Sequence, residues 1–317
     1  VGGAVGSLST TSVNFDNEGK VNLAVNYDEV GVISIAAQST YLNTTTVLGQ
    51  VDNVGRFAPS NFSLTGNVVA ACTDSDGFNY FDQPINEVSF TLTALNQNGS
   101  RTVNYYDGFD KLTNLGLQVE HDGGLLDRLE NTNTISWPQS GATGQISFSD
   151  NDIAFSRLGG TALDGAYMDA SIALVADSGQ IESANFNGLS CTGFCVDDFG
   201  DAISFAYGRA TLINNYGGAD EALLLPLRTQ YWDGQTWRIN TYDSCTDFAH
   251  ANINDVSGEL VSSEDGTLSE GAYVTGEGMR LSSPNGAGNY PLIYTPEAWL
   301  LWDWDNDGEA DNPPNAT

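Results

Sequence analysis

Apolar and polar residues alternate with a period of two in many short segments, and turn-forming Asn, Asp and Gly residues separate these segments. Alternation of this kind places one side of a β-strand in a core and the other side in solvent. Asn98-Gly99 follows one of the segments and predicts a hairpin turn, because both residues tolerate positive φ. The predicted strands are 21–27, 32–37, 61–71, 88–95, 102–105, 144–148, 170–175, 202–212, 223–232, 237–241 and 271–281.

Helical periodicity is nearly absent. Residues 116–131 have some apolar residues at helical spacing, but Gly123-Gly124 interrupts them, so at most a short helix is expected from Leu125. The sequence therefore predicts an all-β fold of immunoglobulin-like antiparallel β-sandwiches with little helix.

The length of 317 residues allows one large domain or two ordinary domains. A boundary is expected near residue 55. It separates an N-terminal immunoglobulin-like strand segment, residues 1–55, from a larger β region, residues 56–317. A further division of this larger region near residue 150 is left open.

Charge excludes one class of function. The chain has 10 Lys and Arg residues against 41 Asp and Glu residues, which gives a formal net charge of −31. Nucleic acids are bound by basic side chains that displace counterions, so neither a nucleic acid nor an anionic membrane surface is an expected partner. No apolar run approaches the 18 residues of a membrane span. Since the sequence begins without Met or a signal peptide, a mature or excised piece is expected.

The four cysteines are even in number, which suits two disulfides in an oxidising compartment. Cys191 and Cys195 are close enough in sequence to close a short loop, which leaves Cys72 to pair with Cys245. Four cysteines allow three pairings in principle, and a zinc site made of all four is the alternative. The wide separation of Cys72 and Cys245 disfavours zinc, because a structural zinc site needs paired ligands.

An acidic segment near the C-terminus has the pattern Asp-x-Asp-x-Asp-Gly-x-x-Asp. Oxygen ligands at every second position, followed by a Gly that permits a sharp turn, allow one loop to wrap a Ca²⁺ ion. The alternative is a solvated acidic turn. The acidic turns at 74–77 and 197–201 have too few ligands in register for the same prediction. The expected ligands of a structural calcium site are Asp303, Asp305, Asp307, Glu309 and Asp311.

The common catalytic motifs are missing from the sequence, and the only histidines are His121 and His250. The protein is therefore expected not to be an enzyme. A glycosidase is the least favoured alternative, since it requires two carboxylates that face each other across a cleft.

Aromatic residues indicate a second possible activity. Tyr231-Trp232 and Trp237 flank a predicted hairpin turn, and three further tryptophans, Trp299, Trp302 and Trp304, lie near the acidic segment. If they form an exposed row, the protein is expected to bind carbohydrate. If they are buried, they belong to the packing of a sandwich, which is the commoner case.

Several motifs resemble the C-terminal region of MshQ-like proteins, the large surface proteins encoded with mannose-sensitive haemagglutinin type IV pili. Glu29-Val30-Gly31 is followed by Gly-Arg-Phe-x-Pro-x-x-Phe at 55–62, and the acidic segment lies where that family has its own. The other similar segments are 90–94, 104–105, 207–209, 215–217, 226–232 and 243–245.

The resemblance implies an extracellular structural or adhesive protein of a pilus or surface fibre in a Gram-negative bacterium, with no known catalytic residues. Expected partners are other copies of the chain, pilus or surface proteins, and glycans as an alternative. The lectin-like N-terminal region of longer relatives is missing here, so the resemblance does not imply sugar binding. The final strand of the family is missing as well, which leads to the hypothesis that an open sheet edge accepts a strand from another chain and builds a fibre.

Overall fold

The computed structural model describes residues 3–9, 16–73, 77–131, 133–141, 143–158, 163–178, 184–255, 265–272, 280–283 and 286–304. This part of the chain is nearly all β-structure, as predicted. Its only helices are two short 3₁₀ turns, His250–Asn252 and Ala298–Leu300, and no helix in it has the length and hydrophobicity that a membrane crossing requires. The strands are β1 Gly31–Tyr41, β2 Thr45–Phe57, β3 Asn61–Val69, β4 Phe78–Tyr80, β5 Glu87–Leu95, β6 Thr113–His121, β7 Gly124–Leu126, β8 Leu129–Glu130, β9 Gln145–Asp150, β10 Ala154–Phe155, β11 Tyr167–Asp177, β12 Ala184–Phe186, β13 Leu189–Cys191, β14 Phe194–Ala206, β15 Gly208–Leu212, β16 Leu223–Leu224, β17 Leu227–Trp232, β18 Trp237–Ile239, β19 Asp247–Phe248, β20 Ile253–Asp255, β21 Gly266–Thr267, β22 Arg280–Leu281 and β23 Leu292–Tyr294.

Two five-stranded sheets form a β-sandwich. One has the strand order β13-β12-β3-β5-β9 and the other β4-β14-β11-β6-β7. The pairs are antiparallel except for β12 with β3 and β14 with β4. The two sheets share one hydrophobic core, in which the rings of Phe90 and Phe199 lie 5.3 Å apart between centroids. Gly66 lies under Phe199, where a side chain on Gly66 would overlap the ring.

The period-two pattern explains which face of β5 is buried. Buried and partly exposed residues alternate along its whole length, and its inward side chains, Val88, Phe90, Leu92 and Ala94, are all in the core. Because successive side chains of a strand point to opposite faces, this alternation fixes which face meets the second sheet. A register slip by one residue would expose all four side chains.

A second hydrophobic core is built mainly by the C-terminal part of the chain, with contributions from β15 to β23. Phe78 and Tyr80 of β4 also belong to it, although β4 is a strand of the sandwich. Both side chains are completely buried. The two cores therefore meet at β4, which serves one sheet through its backbone and the second core through its aromatic rings.

A buried hydrogen-bond network reinforces this junction. The Asp243 carboxylate accepts hydrogen bonds from the hydroxyls of Tyr80 and Thr229, both at 2.7 Å. It also accepts from the backbone N–H of Thr246 at 2.9 Å, while the Asn240 amide donates to the Tyr80 hydroxyl at 2.7 Å. Burial, followed by the nearby Asp243 charge, raises the pKa of Tyr80 well above its ordinary value. Tyr80 is therefore a neutral donor that fixes the second core to β4.

Arg157 provides a second link between the sandwich and the C-terminal segment. Its guanidinium donates to the carbonyl oxygens of Leu301, at 3.0 Å, and of Trp299, and it forms an ion pair with Asp82 at 3.2 Å. Burial lowers the pKa of Arg157. Because a buried cation is costly unless it is paired and hydrogen-bonded, this arrangement holds residues 299–301 against the sandwich.

The four cysteines form two disulfides, Cys72–Cys245 and Cys191–Cys195. The pairing is the one that the sequence favours. The first connects the end of β3 to the second core across 173 residues of sequence, whereas the second connects β13 to β14, which belong to different sheets of the sandwich, with a separation of 4. The first disulfide therefore closes a far longer loop than the second.

The structure corrects some of the predicted secondary structure. Residues 21–27 form no strand, and only Tyr27 makes an isolated bridge, to Leu8. No strand forms at the predicted residues 102–105, and the isolated bridge beyond the Asn98-Gly99 turn pairs Arg101 with Leu95. A helix from Leu125 is wrong, since that residue lies in β7, which folds back on β6 across a turn at positive φ.

Several other segments differ in their bounds. The single strand predicted at 202–212 is divided between β14 and β15, and 223–232 is divided between β16 and β17 by Pro226. The strand predicted at 271–281 is described only at its two ends, of which β22 forms one. The structure adds β2, for which no strand was predicted. The domain boundaries expected near residues 55 and 150 stay predictions.

Candidate functional site

A long hairpin made of β1 and β2 stands apart from the sandwich, and we name residues 31–57 the ribbon. The strands pair antiparallel from Gly31 opposite Phe57 at the base to Tyr41 opposite Thr45 at the tip. They form a sheet of their own, and neither strand pairs with a third strand in the described part of the chain. An isolated two-stranded hairpin is at best marginally stable in water. The ribbon thus leaves two strand edges open to a partner.

The ribbon has one apolar face. Residues directly opposite each other in an antiparallel pair share a face, and alternate residues along a strand do so as well. By this register, Tyr41, Val47 and Val51 lie on the same face, with Val47 53% and Val51 54% exposed. The opposite face has more polar residues, including Thr46 and Gln50, although Leu48 between them is 74% exposed. The complete apolar face comprises Ile33, Ile35, Tyr41, Val47, Val51 and Val54.

The ribbon is also depleted in charge. Residues 30–51 contain no Asp, Glu, Lys or Arg, although the whole chain has a net charge of −31. Natural proteins protect exposed strand edges with charged side chains, Lys above all. The absence of charge from both strands up to Asp52 is therefore typical of a surface that is covered by a partner.

The base of the ribbon is firmly attached to the sandwich. The buried Glu29 carboxylate accepts hydrogen bonds from the backbone N–H groups of Val30 at 2.8 Å, Val103 at 3.0 Å and Asn104 at 3.1 Å. The Phe57 ring contacts Tyr27 with centroids 5.1 Å apart. These contacts fix the direction in which the ribbon leaves the sandwich, so its tip extends from a rigid base.

The predicted aromatic surface is a mutually packed cluster. Trp232 and Trp237 are paired across β17 and β18, with ring centroids 5.9 Å apart, and Trp302 contacts Trp237 edge-on at 4.9 Å. The Arg209 guanidinium lies over the rings of Trp237, at 4.2 Å, and Trp304, at 4.4 Å. Burial lowers the pKa of Arg209 to about 10, so the cation is present at neutral pH. Cation–π contacts of this kind stabilise the cluster.

This geometry does not provide a flat row of exposed rings. Trp137 is buried in the sandwich core, and Trp232, Trp237, Trp299 and Trp302 are partly buried. Trp304 is 38% exposed, but one side of its ring is covered by Arg209. The tryptophans therefore follow the packing interpretation rather than that of a carbohydrate platform.

The predicted calcium ligands are only partly within the described residues. Asp303 is partly buried and lies between Trp302 and Trp304, whereas Asp305, Asp307, Glu309 and Asp311 lie outside the described part of the chain. Its only cluster of three side chains of metal-ligating type is Cys72, Asp243 and Cys245. Both sulfur atoms of that cluster are in the disulfide, so the thiolates that a metal needs are not available.

The sequence analysis missed the ribbon as a functional surface. It recognised β1 as a strand and Glu29 as part of a family motif, but not β2 or the exposed face. The missing charge between residues 30 and 51 is a signal that could have identified it. Alternation alone was misleading, because it predicts a buried face, whereas three of the six residues of this face are exposed and the other three are only partly buried.

Comparison with known proteins gives two matches to one family. The profile of the third domain of DUF6701, a domain of unknown function, matches residues 29–200, and the profile of its fourth domain matches residues 206–317. No curated protein and no solved structure matches the chain significantly. The ribbon lies at the beginning of the third-domain match, and the Cys72–Cys245 disulfide connects the third domain to the fourth.

Proposed function

The chain belongs to the DUF6701 family, and from this membership together with the ribbon we propose that it is an extracellular structural or adhesive component of a pilus or surface fibre. The similarity to MshQ-like proteins supports a Gram-negative source and a location at the cell surface. The two disulfides support an oxidising compartment. The proposal assigns the protein a role in assembly or adhesion and no catalytic activity.

The ribbon is the observation that carries this proposal. A strand from another copy of the chain, or from a pilus protein, adds to an open edge of β1 or β2 and hydrogen-bonds to its backbone. The same partner covers the apolar face. Such strand addition obtains its affinity from main-chain hydrogen bonds and its specificity from alternate side chains. Full burial of a Val side chain contributes about 1.5–3 kcal/mol, so each half-exposed valine adds about 1 kcal/mol.

The ribbon offers a matched test. Val47→Lys with Val51→Lys places two charges on the apolar face, whereas Thr46→Lys with Gln50→Lys places the same two charges on the opposite face of the same strand. Sedimentation velocity over a range of concentrations, with electron microscopy, measures self-association. We expect the first variant to associate at least about tenfold more weakly than the unmodified chain and the second to remain close to it.

Two results would contradict self-assembly through the ribbon. One is an unmodified chain that stays monomeric up to the highest concentration reached. The other is an equal effect of both double variants, which would attribute association to net charge. If the partner is a pilus protein instead of a second copy, a complex between the chain and that protein should form. The Thr46 and Gln50 variant should still form this complex, whereas the Val47 and Val51 variant should not.

We propose in addition that the acidic segment binds Ca²⁺ as a structural ion. Asp303 directly follows Trp302, whose ring is packed against Trp237. A metal bound by the segment would therefore fix the chain just after it leaves the aromatic cluster. The ligands remain those predicted from the sequence, and their test is given in the Discussion.

A further inference from the structure

A cavity of about 470 Å³ lies in the C-terminal part of the fold, far along the chain from the ribbon. Its volume falls within the range typical of small-molecule sites. Buried side chains of Leu225, Leu281 and Leu292 contribute to its lining. Two of these leucines belong to strands, β22 and β23, so this part of the lining is held by the sheet pairs with β16 and β20.

The walls of the cavity are two loops that short hydrogen bonds hold in place. In the first loop, the Asn215 amide donates to the carbonyl oxygen of Leu224 at 2.7 Å, and its side-chain oxygen accepts from the Tyr216 backbone N–H at 2.9 Å. In the second loop, the Tyr290 hydroxyl donates to the Gly286 carbonyl oxygen at 2.8 Å. These hydrogen bonds therefore restrain Asn215 on one side of the cavity and Tyr290 on the other.

Tyr216 lines this cavity and is 94% exposed. An aromatic ring is usually packed against other groups, because it contributes a large apolar area. Here the Tyr216 ring is almost entirely in solvent at the edge of the cavity. The ring is therefore accessible to a ligand at the mouth of the cavity.

Polar side chains also line the cavity. Asn214, Glu221 and Asn289 are exposed residues of its lining, so their side chains are accessible to a ligand. Two amides and one carboxylate supply both donors and acceptors. They match a ligand with several neutral hydroxyl groups.

Charge narrows the class of ligand. All ten Lys and Arg residues of the chain are within the described part, and none of them lines the cavity. A phosphate, sulfate or carboxylate ligand would therefore meet no cation and one carboxylate, on a chain of net charge −31. Anionic ligands are excluded on this ground.

We propose that this cavity binds one neutral sugar residue of a glycan. The apolar face of the sugar packs on Tyr216 and the leucines, and its hydroxyl groups bond to the amides of Asn214 and Asn289 and to the Glu221 carboxylate. Sugar recognition thus depends on tyrosine and asparagine residues of the C-terminal loops instead of the tryptophan cluster. The site does not include any residue of the ribbon. An experiment that refutes sugar binding would therefore leave the proposal of assembly through the ribbon intact, and the reverse also holds.

The test uses the whole chain on an array of neutral and acidic glycans, followed by calorimetric titration with methyl glycosides of glucose, galactose, mannose and N-acetylglucosamine. We expect saturable binding of at least one neutral sugar. Tyr216→Ala should weaken it about fivefold, the effect of losing one aromatic contact. Phe194→Ala, which removes another exposed ring outside both the cavity and the ribbon, should leave it unchanged.

A blocking variant makes the location falsifiable. A Cβ atom built on Gly218, which lines the cavity, has no heavy atom within 4 Å, so Gly218→Trp adds a large ring at the edge of the cavity without a backbone clash. It should abolish binding, whereas Gly218→Ala should retain it with an unchanged melting temperature. Sugar binding that survives Gly218→Trp would overturn the proposal.

Two further outcomes would also overturn it. One is an array on which no neutral glycan binds. The other is a chain that binds oligolysine but no neutral sugar, with binding that disappears in about 0.5 M NaCl, as expected for a screened ionic contact. That result would mean that Glu221 contributes to binding a basic peptide. Neutral sugar binding should persist in the same salt.

Discussion

The Cys72–Cys245 disulfide provides the sharpest quantitative prediction about stability. A cross-link stabilises a fold by restricting the unfolded chain, and in the chain-entropy relation the effect grows with the logarithm of the loop length. The separation of 173 residues corresponds to about 5 kcal/mol at 25 °C, and the separation of 4 in Cys191–Cys195 to about 2 kcal/mol. Replacing the first pair by alanine should therefore cost about 3 kcal/mol more than replacing the second.

The structure adds to this difference, since Cys72 is completely buried between the two cores. The assay is urea unfolding of the two double-alanine variants and of the unmodified chain, monitored by tryptophan fluorescence. We expect the Cys72 and Cys245 variant to unfold at clearly lower urea, with the C-terminal tryptophans changing first. Equal losses of unfolding free energy in the two variants would refute the reasoning, because they would show that loop length and the junction at β4 do not matter.

Two other predictions concern pH and metal. The side chain of Arg238, followed by the backbone N–H groups of Thr236 and Gln235, donates to the Asp233 carboxylate and lowers its pKa from 3.8 to about 2. Because the pKa is lower in the folded protein than in the unfolded chain, the ionised carboxylate stabilises the fold. This stabilisation is complete above about pH 4 and disappears as the pH falls towards 2. Tryptophan fluorescence should report this change in the unmodified chain and not in Asp233→Asn. Calcium at about 10 mM should stabilise the protein by about 1–3 kcal/mol if the site has the affinity typical of extracellular modules. A chelator or Asp307→Ala should remove this gain in a thermal unfolding measurement, and Asp74→Ala should not; equal loss in both variants would argue against a specific site.

Much of the sandwich could be predicted because the buried positions of a strand are occupied by apolar residues, which are visible in the sequence. The inward residues of β5 and the predicted segments at 61–71 and 170–175 alternate or are continuously apolar, and the structure confirms them as central strands. The failures have a common cause. Residues 21–27 alternate just as clearly, but no neighbouring strand in the described structure pairs with them, and alternation does not specify a partner.

The sequence by itself determined the all-β class and the central strands of the sandwich, because these follow from local periodicity, and its total charge predicts that nucleic acid is not a partner. Only the tertiary structure decided where surfaces are left open. It placed β4 in two cores, packed the tryptophans against one another and Arg209, and left Tyr216 and the ribbon exposed. Exposure depends on which distant segments come together, as in the contacts of Trp237 with Arg209 and with Trp302.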